Sequence, residues 1–182
     1  LTNATIAGFA SNGHIIPQDG TSITTSGDVI VRNGYLLGPG TNLTNVDFTG
    51  LNLTNVNLTD ATLTGIKAHN VTATGTETLP ANYKWIEQPN LTGTKYAIFG
   101  PSVNLSDADL TNVTFTEEVK LTNAILTNTT ITGLRSNGYI IPLDGVSITL
   151  DSDVIVRNGY LLGAGVNLTD AILTSFDVTN MD

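Results

Sequence analysis

The stretch TNLTN VDFTG LNLTN VNLTD ATLTG, Thr41 to Gly65, decides the fold, because its pattern returns every five residues. Leu43, Phe48, Leu53, Leu58 and Leu63 hold the third place of each block, and Thr41, Val46, Leu51, Val56 and Ala61 hold the first. Neither the two-residue period of a half-buried strand nor the 3.6-residue period of an amphipathic helix fits. The residue after each central one is Thr (Thr44, Thr49, Thr54, Thr59, Thr64), and the next is Asn, Gly or Asp (Asn45, Gly50, Asn55, Asp60, Gly65). Those last types tolerate turn and left-handed backbone. Each block therefore reads as a very short extended piece followed by a corner, with two apolar positions facing inward and three polar ones outward.

The same register returns at Val103 to Phe115 (VNLSD ADLTN VTF), Val119 to Ile131 (VKLTN AILTN TTI) and Val166 to Val178 (VNLTD AILTS FDV). Between Phe115 and Leu121 the spacing is six, so Glu117-Glu118 marks a one-residue slip, read as a solvated bulge. The expected core is Leu43, Phe48, Leu53, Leu58, Leu63, Leu105, Leu110, Phe115, Leu121, Leu126, Ile131, Leu168 and Leu173.

This pattern resembles the pentapeptide-repeat family, whose blocks read A(D/N)LXX; ADLTN at Ala108 to Asn112 matches outright, and VNLTD, VNLSD and AILTN nearly so. GYLLGPGTNL (Gly34 to Leu43) and GYLLGAGVNL (Gly159 to Leu168) are similar to a stretch that reopens such runs in cyanobacterial members of the family. The resemblance implies an all-β fold, a right-handed quadrilateral β-helix in which four five-residue faces make one coil. The whole chain, 1–182, is expected to be a single β-solenoid domain of about nine coils, a rod about 43 Å long at about 4.8 Å per coil.

Three irregular segments interrupt the blocks. From Ser11 to Leu43, Ala73 to Leu105 and Ser136 to Leu168 the interval is 32 residues each time. The first and third are near copies, with DVIVRNGYLLG unchanged at Asp28 to Gly38 and Asp153 to Gly163. The middle one is rewritten, yet Gly13, Gly75 and Gly138 align, as do Gly38, Gly100 and Gly163, and Trp85 falls opposite Ile23 and Ile148. The chain thus reads as modules at roughly 12–73, 74–136 and an incomplete 137–182. The segments either stack within the helix or loop outside it; Asn33-Gly34 and Asn158-Gly159 signal tight hairpin turns.

Composition narrows the function classes. Charged residues are 13% of the 182 and the net charge is -9, so the surface is built mainly from neutral hydroxyls and amides. That balance argues against nucleic acid or anionic lipid as a direct partner. There are no cysteines, which removes disulfides, thiolate metal sites and Cys nucleophiles. No run approaches the length of a membrane helix, so no membrane insertion is expected.

Candidate chemistry is sparse. Asp144, Asp151 and Asp153 lie near Arg157 in sequence, and Asp19, Asp28 and Arg32 repeat part of that set, which duplication and turn chemistry explain without catalysis. His14 becomes Tyr139 in the third module, and His69 stands apart, so neither suggests a metal ligand or triad base. Trp85, Tyr83 and Tyr96 read first as filling for the middle segment, with an exposed sugar-binding platform as the lesser reading. No catalytic, cofactor or metal residue is assigned, and the chain reads as a non-enzyme. Asn-x-Thr triplets such as Asn42-Leu43-Thr44 follow automatically from the period.

The expected function is a structural solenoid that stacks end to end into a fibre or surface assembly, its partner being itself. The pattern runs into both ends of the sequence, and Leu1, Ala4 and Ile6 join Phe176, Val178 and Met181 in register, which makes these the expected contact residues or else marks a longer array. A cell-surface or extracellular place is favoured slightly over a cytoplasmic one. Some family members mimic DNA and inhibit DNA gyrase, the alternative reading here. B-DNA, however, carries about one charge per 1.7 Å, about 25 over such a rod. An ice-binding or ligand-binding solenoid is a further alternative, although Thr lies on all faces rather than one.

Overall fold

A computed structural model describes residues 6–11, 13–15 and 27–172, and all their regular structure is β. The elements are β1 (Ile30–Arg32), β2 (Tyr35–Leu37), β3 (Lys84–Glu87), β4 (Tyr96–Phe99), β5 (Val119–Lys120), β6 (Ile140–Ile141), β7 (Ile155–Arg157) and β8 (Tyr160–Leu162). β1-β2, β3-β4 and β7-β8 are antiparallel hairpins, whereas β5 pairs with β6 in parallel.

Between the hairpins the chain stacks on itself through isolated parallel bridges. Asn42 pairs with Thr62, Asp47 with Lys67 and Asn52 with Thr72, each twenty residues on. Two main-chain bonds hold each pair: Leu43 N–H donates to Thr62 O and Thr62 N–H to Thr41 O, both at 2.9 Å. Further along, Asn104 pairs with Ile125, Asp109 with Thr130 and Thr114 with Arg135. These intervals are one residue longer because each contains the extra residue at Glu117-Glu118, both exposed.

The corners explain the period. Asn45, Gly50, Asn55, Asp60 and Gly65 have φ of 58°, 75°, 64°, 57° and 69°, the left-handed region open to Gly and tolerated by Asn and Asp. Across each corner a turn bond closes, as from Val46 N–H to Leu43 O at 3.2 Å. The second residue of the block braces it: Asn42, Asp47 and Asn52 accept from the amides of Thr44, Thr49 and Thr54 at 3.1, 2.8 and 2.9 Å.

The side chains between corners form one contiguous apolar core running from Leu37 to Leu161. Leu43, Phe48, Leu53, Leu58, Leu63, Leu105, Leu110, Phe115, Leu121, Leu126 and Ile131 are all buried. Leu168 is half-buried, and Leu173 lies outside the described residues. First-place residues are buried as well, Val46, Val56, Val103 and Val113 among them. Thr41 is buried with its hydroxyl donating to Gly38 O at 2.8 Å.

The three irregular segments each contain a hairpin, but not the same one. β1-β2 and β7-β8 turn through Asn33-Gly34 and Asn158-Gly159, both residues at positive φ, as a two-residue hairpin requires. β3-β4 turns through the longer loop 88–95. A tyrosine nonetheless covers a positive-φ glycine in each segment, so that a Cβ would meet Tyr35 at Gly13, Tyr96 at Gly75 and Tyr160 at Gly138 within 3.1 Å. Equal length therefore coexists with different turns.

Two substitutions test the inward and outward assignment. Leu53→Asp places an unpaired charge in the core and should unfold the stack, a cost of several kcal/mol. Thr54→Ser should change the melting temperature little. Asn55→Ala should cost about 1 kcal/mol through its positive φ, with Asn55→Gly near neutral. Thermal melts followed by circular dichroism decide, and equal losses for Leu53→Asp and Thr54→Ser would contradict the assignment.

Candidate functional site

The middle segment interrupts the ladder, and there the polar chemistry gathers. On one side Asn104 N–H still reaches Ile66 O at 2.8 Å, and β4 pairs antiparallel with the 68–71 stretch through Val71 and Tyr96. Between Asn70 and Asp109 side chains take over. Gln88, 1% exposed, accepts from Asn70 N–H at 2.6 Å through Oε1 and donates from Nε2 to Asp109 O at 2.7 Å. Its amide thus presents an acceptor and a donor where a peptide group would.

Trp85 does related work one corner further on. Its Nε1–H donates to Glu77 O at 2.9 Å, and its ring meets Tyr96 edge-on at 6.2 Å. Glu77 itself is buried, its carboxylate accepting from Thr74 N–H and Oγ1–H at 2.9 Å and Gly75 N–H at 3.0 Å. Burial alone would raise its pKa, but the bonds from Thr74 and Asn55 outweigh burial and hold it below the usual carboxylate value. Glu77 is thereby a fixed anion that ties the hairpin base to the preceding pass.

Beside Trp85 a cleft of about 320 Å³ opens between β3 and the 114–119 stretch. Phe115 and Val119 form its buried wall, Thr114 and Thr116 its exposed one, and Lys84 pairs across it with Glu117 at 2.6 Å. Among the described residues, polar clefts also lie against Asp28 and Glu77 (about 330 Å³) and against Asp151 and Asp153 (about 230 Å³).

The other sequence candidates are distributed along the surface in local roles. Asp28 accepts from Asn57 Nδ2, Asp144 from Val146 N–H and Asp151 from Asn128 N–H. Arg32 donates to Asn52 O and Thr54 O at 2.8 and 2.9 Å, clasping a corner of the next pass. Tyr83 donates to Pro101 O and is half-buried, as are Trp85 and Tyr96 against the core. Asp19 lies outside the described residues. Among the described residues no three His, Asp or Glu side chains gather to hold a metal, and no helix is long and apolar enough to cross a membrane. Of the expected contact residues, Ile6 is half-buried; Leu1, Ala4, Phe176, Val178 and Met181 lie outside the described residues.

Residues 39–70 match the family described as pentapeptide repeats (8 copies). That stretch is a run of pentapeptide repeats. Its fold is accordingly a β-solenoid, and the matched stretch is the one in which bridges recur every twenty residues. No curated protein and no solved structure shows significant similarity to it.

Sequence reasoning passed over Gln88, Glu77 and the surroundings of His69. His69 is 8% exposed, its Nε2 makes no hydrogen bond, and Lys67, Asp47 and Asp107 surround it. Burial, reinforced by Lys67, holds its pKa below the ordinary 6.5. The folded protein therefore favours neutral His69 while the unfolded chain takes up a proton more readily, so this stabilisation is complete above pH 6.5 and is lost as pH falls below it. Glu77 adds a second loss below the ordinary carboxylate value of 4.5. Melts of the wild type should decline as the pH falls below 6.5, and His69→Leu should flatten that decline while leaving the loss below 4.5; an unchanged slope would refute the role of His69.

Proposed function

We propose that this pentapeptide-repeat solenoid is a non-enzymatic structural element that stacks end to end into a fibre, exported or borne on a cell surface. The finer geometry belongs to the same reading: a right-handed quadrilateral helix of about nine coils, with three equivalent 32-residue segments. The twenty-residue bridge interval supports four faces to a coil, and the tyrosine-over-glycine contact common to the segments supports their equivalence.

The observation that carries the assembly is the pass through 166–172. It keeps the internal corner geometry, with Asp170 at φ 61°, Ala171 N–H bonded to Leu168 O and Asn167 bracing Thr169. It bonds inward to Leu134 O through Asn167 N–H. Yet Leu168 is half-buried and Ile172 is 71% exposed, whereas Leu43, in the matching place 125 residues earlier, is 1% exposed. A second copy packed against that pass would cover these side chains with the same main-chain ladder that joins internal passes. Exposed neutral Thr and Asn on the flanks suit a rod that meets its own kind only at the ends.

Sedimentation and electron microscopy of the purified chain test this. Rods that lengthen with concentration, and that shorten in Leu168→Asp, are expected; a uniform monomer at every concentration would overturn the assembly. The gyrase alternative gains no support from the ladder, where one row reads Asp47, Lys67, Asn104, Ile125, Thr149 rather than a line of acids. Gyrase supercoiling should accordingly be unaffected by excess protein.

A further inference from the structure

We propose that the cleft beside Trp85 binds a neutral oligosaccharide, with one sugar ring packed on the indole. At this cleft the ladder leaves main-chain groups unmet. In three successive rows Asn104, Asp109 and Thr114 occupy equivalent places, each bonded on one side to the pass that follows. On the other side Asn104 N–H is taken by Ile66 O, and Asp109 O by the Gln88 amide. Thr114 differs. Arg135 engages Val113 O and Phe115 N–H, so the N–H and C=O of Thr114 point the opposite way, toward the cleft, and neither bonds to another group among the described residues.

An adjacent donor and acceptor at a partly apolar wall suits a hydroxyl-rich ligand, since each hydroxyl both donates and accepts. An unmet pair of this kind costs free energy unless water or a ligand satisfies it. The indole supplies the other half of the recognition. Its N–H is already spent on Glu77 O and its ring packs at 76° to that of Tyr96, so what it offers a ligand is apolar ring surface held in a fixed orientation. A pyranose presents that combination, an apolar C–H face with hydroxyls around the rim.

Charge narrows the class further. Lys84 and Glu117 neutralise each other across the cleft, and Glu87 on its rim is exposed, leaving the mouth slightly negative. That balance disfavours acidic sugars. At about 320 Å³ the cleft lies at the lower end of small-molecule sites, the size for one or two rings.

Trp85 is the chain's single tryptophan, so intrinsic fluorescence reports on this cleft alone. Titration of the full chain with cello-, xylo-, malto- and chito-oligosaccharides should give, for at least one series, a saturable change with Kd on the order of 1 mM or tighter. Thr114→Arg, at an exposed position on the cleft wall, should weaken that binding by about tenfold or more with the melt unchanged; Thr116→Arg on the same wall provides a second reading should the first disturb folding. Because assembly is read by sedimentation and sugar by fluorescence, either proposal can fail alone. No saturable response in any series, full binding retained in both variants, or a response confined to a lysine-rich peptide or to oligogalacturonate would overturn the proposal.

Discussion

The structure depends on one constraint, a left-handed corner at every fifth residue. Parallel main-chain bonding between passes twenty residues apart is possible only if the chain has come back above its own path in that interval. Asn45, Gly50, Asn55, Asp60 and Gly65 make the return by holding φ between 57° and 75°, where most residue types are strained. Once the corners are set, the residues between them have one direction to point. The central Leu or Phe and the small first residue meet their counterparts above and below, and a continuous core follows without any strand of ordinary length.

This local origin is why so much could be read from the letters. A corner is encoded within five residues, by Thr then Asn, Asp or Gly, with Asn42, Asp47 or Asn52 bracing it from two places upstream. Burial at Leu53 and Phe115 follows from the same five letters. The Asn-Gly hairpin turns are equally local. The site in the middle segment is not. Gln88 joins Asn70 to Asp109, and Trp85 reaches Glu77, links made by side chains across 18, 21 and 8 residues with no recurring pattern around them. The Leu168 position shows the remaining limit, because identical letters at Leu43 and Leu168 are buried to different degrees.

Electrostatics plays a minor and mostly local part. With 13% charged residues, the protein presents neutral amides and hydroxyls, many already committed to corners. The ion pairs Lys67–Asp107, Lys84–Glu117 and Arg135–Asp170 each have one well-exposed partner and contribute little to stability. The groups that matter are the two taken out of water, Glu77 fully satisfied and His69 with an unbonded nitrogen. His69 sits just before the interruption and Glu77 at its start, so the solenoid concentrates its sensitivity to surroundings where its regularity lapses.

Gln88 also bears on how the rod would respond to load. Elsewhere a pull along the axis is shared among many main-chain bonds that must break together. At the middle segment part of that tension passes through a single side-chain amide and an indole N–H, each on rotatable bonds. If the passes are pulled apart, the middle segment is the place where side-chain bonds share the load with main-chain bonds such as Asn104 N–H to Ile66 O.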